Sequence, residues 1–261
     1  MKEKQYVILS PAFREPGTEQ LAIKTISRGR GGKEQDSGMH PRPLRPSSTQ
    51  WNEAQAAQEL ATWRRLLPLG PLQHYPERHA IFTQGDMPRD VFILARGIVK
   101  LTCDLPDGKR SLFALRYPGQ ILEECAFDLK LPYPVSAATV LPCEIHRLEA
   151  GRMIEAAQRN PEVNAFENLV LKRNLYNEGV ALVEFKTLPR DDLLERFLWN
   201  LAAVQGARAR DGQVRFILPL RNIEMAEWLG ISESHYKQMR AALEEAGVLQ
   251  RDGKRFVLRQ R

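Results

Sequence analysis

The spacing of hydrophobic residues changes twice along the chain and divides it into helical, β-prone and again helical parts. Residues 53–67 show helical spacing, and from residue 80 to residue 148 short β-prone runs alternate with Gly, Pro and Asp. The pair Asp107-Gly108 between two such runs predicts a β-hairpin. Many short strands at regular spacing predict an all-β sandwich or barrel. The predicted strands are Ala80–Thr83, Asp90–Leu94, Ile98–Thr102, Ser111–Tyr117, Val135–Val140 and Cys143–Leu148.

A long helix is predicted after the β-prone part. Asn160-Pro161 is a helix-start signal, because proline is favoured in a first turn where its missing N–H costs nothing. A seam with a spacing near 3.5 residues then indicates a helix that pairs with another long helix. A second apolar stripe is suited to packing on the helix's own domain, so both contacts are open. The seam is Phe166, Leu169, Tyr176, Val180 and Val183, and the second stripe is Leu171, Leu175 and Leu182.

The last part of the chain predicts a small mixed domain that contains a helix-turn-helix. A helix over residues 191–204 and a strand over residues 212–218 precede two further helical patterns and a hairpin around Asp252-Gly253. Ala226 is small enough for a close helix crossing, Gly230 supplies a left-handed turn residue, and Ser232 can cap the second helix. The predicted shared interior consists of Ile223, Leu229, Ile231, Tyr236, Met239 and Leu243.

This packing leaves one polar face of the second helix to enter a DNA major groove. Glu233 is suited to accept a hydrogen bond from cytosine, and Gln238 is suited to pair with adenine. The terminal hairpin supplies basic residues that can contact DNA phosphates. The predicted DNA-binding residues are Ser232, Glu233, Ser234, His235, Lys237, Gln238, Arg240, Arg251 and Lys254. The alternative is an ordinary helical hairpin with a solvated charged face. It leaves the small residue, turn glycine, cap and basic hairpin unexplained as a set.

The charge distribution agrees with a polyanionic partner. The 261 residues are 43% hydrophobic and 27% charged, with a net charge of +6. Residues 1–50 hold 9 Lys and Arg against 5 Asp and Glu, and residues 214–261 hold 9 against 6, while the middle is near neutral. Residues 1–50 are rich in Gly, Pro, Ser and Arg and predict a flexible basic leader. It is either an arm that touches nucleic acid or a solvated tail, and Met39 is a second candidate start of translation.

Several classes of protein are disfavoured by what the sequence contains. No run approaches the roughly 20 apolar residues of a membrane span. Cys103, Cys125 and Cys143 give no disulfide framework and fit a reducing compartment, here the cytoplasm. A metal-dependent jelly-roll enzyme needs several His and a carboxylate on adjacent strands, whereas this region offers only His79 and His146, with His74 just outside. We therefore predict no catalytic and no metal-binding residues.

The chain resembles the CRP/FNR family of bacterial transcription regulators over roughly residues 70–261. The order of parts carries the resemblance, together with Asn160-Pro161, Glu195-Arg196-Phe197 and the helix-turn-helix. Glycine-punctuated turns similar to those of a cyclic-nucleotide-binding jelly roll are Phe82-Thr83-Gln84-Gly85-Asp86, Val91–Val99, Asp107-Gly108-Lys109-Arg110 and Tyr117-Pro118-Gly119-Gln120.

The resemblance implies an α+β chain that acts as a homodimer on double-stranded DNA, with RNA polymerase as a further partner. The expected parts are a flexible leader (1–50), a jelly-roll sensor domain (51–152), a linking and dimerisation helix (153–187) and a winged helix-turn-helix domain (188–261). The alternative is a ligand- or redox-sensing regulatory protein that acts mainly through protein contacts. The operator sequence, and whether the protein activates or represses, do not follow from the residues.

The phosphate-binding cassette departs from the family pattern. Members that bind cyclic AMP carry Gly-Glu after the Pro-Gly turn and then Arg-Ser/Thr-Ala, where the arginine neutralises the phosphate. This chain has Glu123-Glu124 and Pro134-Val135-Ser136-Ala137 at those places. The resemblance assigns Glu124, Ser136 and Ala137 to effector binding, but Val135 replaces the arginine and Glu123 adds a negative charge. We expect that a cyclic nucleotide does not bind in the usual way.

The resemblance also raises haem and an iron–sulfur cluster as effectors. The cluster type needs grouped N-terminal cysteines, and residues 1–102 contain none. Cys125 and His146 have side chains that can bind haem iron, but no sequence motif supports this role. The competing interpretation is that Cys125 is a buried thiol and His146 a structural histidine. A redox switch among the three cysteines is a further alternative. The cofactor is therefore unknown from the sequence.

Overall fold

The computed structural model describes residues 53–106, 108–123, 125–205 and 213–259. The predicted leader, Glu124, the side chain of Cys125 and Arg261 lie outside the described part. Within it the chain is a mixed α and β protein, so the predicted fold class is confirmed.

The N-terminal part is a two-sheet β-domain. One antiparallel sheet has the order β1-β7-β3 and the other the order β2-β6-β4-β5. Leu94 and Ile145 of the first sheet share a buried core with Val99 and Leu101 of the second, so the sheets close over a common interior. The elements are α1 (Glu53–Leu66), β1 (Leu72–Tyr75), β2 (Ala80–Phe82), β3 (Asp90–Arg96), β4 (Val99–Asp104), β5 (Arg110–Arg116), α2 (Cys125–Leu129), β6 (Ser136–Thr139) and β7 (Cys143–Glu149).

Two glycines shape the turns of the β-domain. The predicted hairpin is confirmed, because β4 pairs with β5 from Asp104↔Arg110 onward and Gly108 has a φ of 80°. At Gly97, with a φ of 97°, an added Cβ would lie 2.5 Å from Cys143 Sγ and 2.6 Å from Pro142 O. Only glycine therefore allows the β3–β4 turn to pass this close to β7.

Two helices follow, and they are separate. They are α3 (Ala150–Arg159) and α4 (Pro161–Thr187). The break falls at Asn160, whose backbone is extended and whose Oδ1 accepts a hydrogen bond from Glu162 N at 3.0 Å. Helix α3 buries Ala150 and Met153 against the β-domain. Sequence patterns did not predict β1 or α2, which are short, and the linking helix expected over residues 153–187 is divided into α3 and α4 at Asn160.

Helix α4 has a buried face and an exposed apolar face. Val163 and Val170 pack into the β-domain core. The predicted seam is wrong at Phe166, whose ring packs edge-on against Trp63 of α1 with centroids 4.6 Å apart. The exposed apolar residues are Leu169, Leu175, Tyr176, Leu182 and Val183. Among the described residues no helix, α4 included, is both long and apolar enough to cross a membrane.

The C-terminal part packs helices on a three-stranded sheet of order β8-β10-β9. Leu194, Leu198 and Leu201 of its first helix are fully buried beside Phe216 and Leu258 of the sheet. The elements are α5 (Arg190–Gln205), β8 (Val214–Phe216), α6 (Asn222–Leu229), α7 (Glu233–Glu245), β9 (Leu249–Asp252) and β10 (Arg255–Leu258).

The two parts share a core. Ile98, Leu112 and Val140 of the β-domain lie in the same buried cluster as the C-terminal leucines. Arg116 of β5, itself buried, also pairs with Glu178 of α4 at 3.1 Å. The β-domain therefore contacts both the long helix and the C-terminal domain through its four-stranded sheet.

Candidate nucleic-acid interface and effector region

Helices α6 and α7 form the predicted helix-turn-helix. Ala226 is fully buried where the helices cross, and Gly230 ends α6 with φ 67° and ψ 36°. The Ser232 hydroxyl accepts a hydrogen bond from His235 N at 3.2 Å and so caps α7. These three features agree with the sequence prediction.

The interior of the motif differs from the prediction, because Met225 is buried and Ile223 is not. Tyr236, Met239 and Leu243 of α7 are buried, as is Leu229 of α6. Ile223 is 38% exposed, so its predicted interior position is wrong. At 3.6 residues per turn Ile223 lies to one side of the buried stripe formed by Met225, Ala226 and Leu229.

The outward face of α7 is polar and available. Ser234, His235, Lys237 and Gln238 are exposed. Lys237 Nζ pairs with Glu233 Oε1 at 2.7 Å along the helix, so these two predicted DNA contacts meet each other in the free protein. An exposed pair of this kind contributes little to stability and can open when a phosphate or base competes for it.

Arg240 differs from its neighbours on α7. Its Nη1 donates to Asn222 Oδ1 at 3.1 Å, and its Nε lies 3.3 Å from Glu244 Oε1. Only 28% of its side chain is exposed. Arg240 therefore joins α7 to the start of α6, and a DNA contact by this residue remains a prediction.

The β9–β10 hairpin, whose first strand contacts α7, carries basic residues. Gly253 at its turn has a φ of 60°, and Arg251 Nε donates to Gly253 O at 3.3 Å. Lys254, Arg255 and Arg259 are exposed along the same hairpin. The hairpin thus has the charge required of a wing that contacts the DNA backbone.

The interior of the β-domain is occupied by its own side chains. The Tyr133 ring stacks on Phe82 with centroids 3.9 Å apart, and the Tyr133 hydroxyl donates to Asp90 O at 3.1 Å. Val135, at the position of the missing arginine, is buried in the same cluster. Burial raises the pKa of Tyr133 to about 12, so it stays neutral.

The predicted effector residues serve structural contacts. The Ser136 hydroxyl accepts a hydrogen bond from Gln84 N at 2.9 Å, and Ala137 is buried in the apolar core. Glu124 lies outside the described residues. Ser136 and Ala137 are neighbours on β6, and both line a cleft that is also lined by Arg78, Lys100, Arg110 and Arg221.

His146 and Cys143 are held by neighbouring groups. His146 Nδ1 lies 3.0 Å from Gly70 O, and its Nε2 lies 3.4 Å from Arg64 Nη2. The Cys143 thiol has two carbonyl acceptors for its one hydrogen, Leu141 O at 3.1 Å and Ile98 O at 3.4 Å. Burial raises the pKa of Cys143 to about 11, which disfavours the reactive thiolate. In the described ranges no three His, Cys, Asp or Glu side chains lie close enough to share a metal ion.

A charged contact joins the β-domain to α6, and sequence reasoning did not predict it. Lys100 Nζ on β4 pairs with Glu224 Oε1, whose side chain is 8% exposed. Glu224 Oε2 also accepts from Arg221 N at 2.8 Å, which caps α6. Burial raises the pKa of Glu224, but the bonds from Lys100 and Arg221 outweigh it and lower the pKa below its usual value.

A second unpredicted feature is the buried Glu167 of α4. Its side chain faces a cleft of about 320 Å³ between α2, α3 and α4, next to Asp128. Burial, with a smaller contribution from Asp128, raises the pKa of Glu167 to about 7. Glu167 lies between Val163 and Val170 on the buried face of α4, which neither of the two predicted apolar stripes includes.

Comparison with known proteins agrees with these parts. The cyclic nucleotide-binding domain family matches residues 72–160. The transcriptional activator protein FnrL of Cereibacter sphaeroides is 27% identical over 209 residues, which cover 77% of this chain and 80% of the relative. The nitrogen fixation regulation protein FixK of Azorhizobium caulinodans is 24% identical over 227 residues, covering 84% and 87%.

Solved structures show the same fold. FixK2 from Bradyrhizobium japonicum superposes with a TM-score of 0.63 at 16% identity, over 73% of this chain and 93% of that one. The relatives are named as transcription regulators, and the fold of this chain is the fold of the solved regulators. The resemblance to transcription regulators of the CRP/FNR type that was seen in the sequence is confirmed.

Proposed function

We propose that the protein binds DNA sequence-specifically, with α7 in the major groove and the β9–β10 wing on the backbone. The observation that carries this proposal is the exposed polar face of α7 beside the basic wing. Lys237 and Gln238 project from α7, and Arg251 and Lys254 from the wing. Because basic residues displace counterions from DNA, affinity falls steeply as salt rises.

The DNA-binding form is a homodimer. The exposed apolar face of α4 supports this, since Leu169, Leu175, Tyr176, Leu182 and Val183 would otherwise remain in water. A two-fold dimer presents two α7 helices, so the operator is an inverted repeat with half-site centres about 34–36 Å apart. The Leu175→Glu variant is expected to sediment as a monomer, whereas the exposed α3 variant Arg152→Ala keeps the dimer.

The sensor domain does not bind a cyclic nucleotide in the usual way. Val135 supplies no cation, and the stacked rings of Phe82 and Tyr133 fill the interior of the β-domain. Calorimetric titration with cyclic AMP and cyclic GMP is expected to show no micromolar binding. Micromolar binding of either nucleotide contradicts this part of the proposal.

The regulator has no enzymatic activity and works in the cytoplasm, where its DNA target lies. RNA polymerase is its further partner, as the family resemblance implies. A protein that acts mainly through protein contacts would leave the capped α6–α7 motif and its basic wing without a role.

The test is the affinity of variants for an operator selected from random duplex DNA. Gln238→Ala is expected to lose about 1–3 kcal/mol on the preferred sequence and to relax its specificity. Lys237→Ala weakens binding at any sequence if it contacts a phosphate. Arg152→Ala, on exposed α3, is the control. Unchanged affinity in both α7 variants would remove the assignment of α7 as the recognition helix.

A further inference from the structure

A cleft lies between the outer face of the four-stranded sheet and the start of α6. Its volume is about 440 Å³, which is in the range of about 300–1,000 Å³ typical of small-molecule sites. Residues of β2, β4 and β6 form one wall, and Pro219, Arg221 and Glu224 form the other. The lining also includes Phe82 and Ala137 of the buried core, and the cleft therefore contains Ser136 and Ala137, two of the effector residues predicted from the sequence.

The walls of the cleft carry an excess of positive charge. Arg78, Lys100, Arg110 and Arg221 line it, against the carboxylates of Glu77 and Glu224. The hydroxyl groups of Thr83, Thr102, Ser136 and Thr139 add polar surface. Guanidinium groups suit phosphate and carboxylate ligands, because their parallel N–H groups match two oxygens at once.

The side chains of three of these cations are largely exposed. The side chains of Arg78, Arg110 and Arg221 are 78%, 63% and 66% exposed. Each pairs with a carboxylate, but exposed ion pairs of this kind contribute little and exchange readily. Arg78 also has a φ of 63°, a left-handed conformation that costs energy in a residue other than glycine.

The cleft also contains the charged contact between the two domains. Lys100 and Arg221, which line it, are the two cations that bind Glu224. An anion that takes hydrogen bonds from them competes with Glu224. Occupation of the cleft thus weakens the contact that holds α6 against β4.

We propose that this cleft is an effector site for a small anion bearing phosphate or several carboxylates, bound by Arg78, Lys100, Arg110 and Arg221 in competition with Glu224. The inference rests on the proposed function, since it names the ligand class of the sensor and the route by which that ligand reaches the helix-turn-helix. Phosphate esters and polycarboxylates share the recognised chemistry, so the two are separate arms of the test.

The test is calorimetric titration of the full chain, without DNA, using inorganic pyrophosphate in one arm and citrate in the other. Wild type is expected to bind at least one of them, and the double variant Arg78→Gln/Arg110→Gln to bind it at least about tenfold more weakly. Arg152→Gln, which removes an exposed arginine of α3, is expected to bind as wild type does. Glu224→Gln removes the competing carboxylate and is expected to bind several-fold more tightly, with circular dichroism confirming that it folds.

Failure of the site and failure of the DNA-binding proposal are distinguishable. Absence of binding of both anions at millimolar concentration, or equal binding by the double variant and wild type, overturns the site whatever the protein does on DNA. A double variant that loses DNA affinity but keeps anion affinity also overturns it, because the arginines would then be contacts to the DNA backbone. Anion binding with no operator binding leaves the site standing and overturns the DNA-binding proposal.

Discussion

The Lys100→Met substitution tests the charged contact between the β-domain and α6. It removes the cation from Glu224, whose side chain is 8% exposed, but leaves the hydrogen bond from Arg221 N at 2.8 Å. Removing one partner of a buried pair costs about 3–5 kcal/mol, and because Arg221 remains we expect about 2 kcal/mol here. For a chain of this size that is about 4–8 °C in Tm.

The assay is urea unfolding across pH in a double-mutant cycle with Glu224→Gln. The pKa of Glu224 is lower in the folded than in the unfolded protein. The ionised carboxylate therefore adds to the free energy of unfolding above the unfolded pKa, and this stabilisation is lost as pH falls through the folded pKa. In Lys100→Met this loss begins at higher pH, since the folded pKa rises. The double variant recovers most of the loss, because neither group is left unpaired. A cost no larger than that of Arg152→Ala, or a coupling energy below about 0.5 kcal/mol, would refute the contact as a source of stability.

Three further substitutions have defined outcomes. Gly97→Ala forces a Cβ to 2.5 Å from Cys143 Sγ at a φ of 97°, so thermal unfolding should show a loss of more than about 2 kcal/mol, against a small change for the unobstructed Gly179→Ala. Ser232→Ala removes the cap of α7 and should cost about 1 kcal/mol in urea unfolding, whereas Ser232→Asp, which can also cap, retains stability. Glu167, with a folded pKa of about 7 against an ordinary 4.5, binds its proton more tightly when folded, so stability should rise as pH falls from 8 to about 5. Glu167→Gln should abolish that rise and be more stable at pH 8 by about 2 kcal/mol, and an unchanged pH profile would contradict the burial argument.

The sequence predicted the elements whose local signals are strong. Gly230 adopts the left-handed backbone conformation that glycine favours, and Ser232 caps the helix that begins directly after it. Because both effects are local, the sequence alone was enough to locate the turn of the helix-turn-helix to within one residue. The hairpin at Gly108 and the start of α4 at Asn160 were also predictable, because each depends on residues that are adjacent in the sequence. The polar face of α7 followed from the spacing of Tyr236, Met239 and Leu243.

What could not be predicted depends on contacts between distant parts of the chain. Lys100 and Glu224 are 124 residues apart, and neither carries a pattern that names its partner. Phe166 has seam spacing, yet it packs on Trp63 because α1 covers that end of α4. Ile223 lies near the predicted interior, but the crossing of α6 and α7 leaves it at the edge. The cleft beside Arg78 likewise exists only once the sheet and α6 meet.

The central claim is that two α7 helices read an inverted repeat. Hydroxyl-radical footprinting of the full chain on an operator selected from random DNA tests it most directly. We predict two symmetric protected regions centred about one helical turn apart, which weaken together in Leu175→Glu and in Gln238→Ala. Selection of no preferred sequence, or a single asymmetric footprint that survives both substitutions, would contradict the claim.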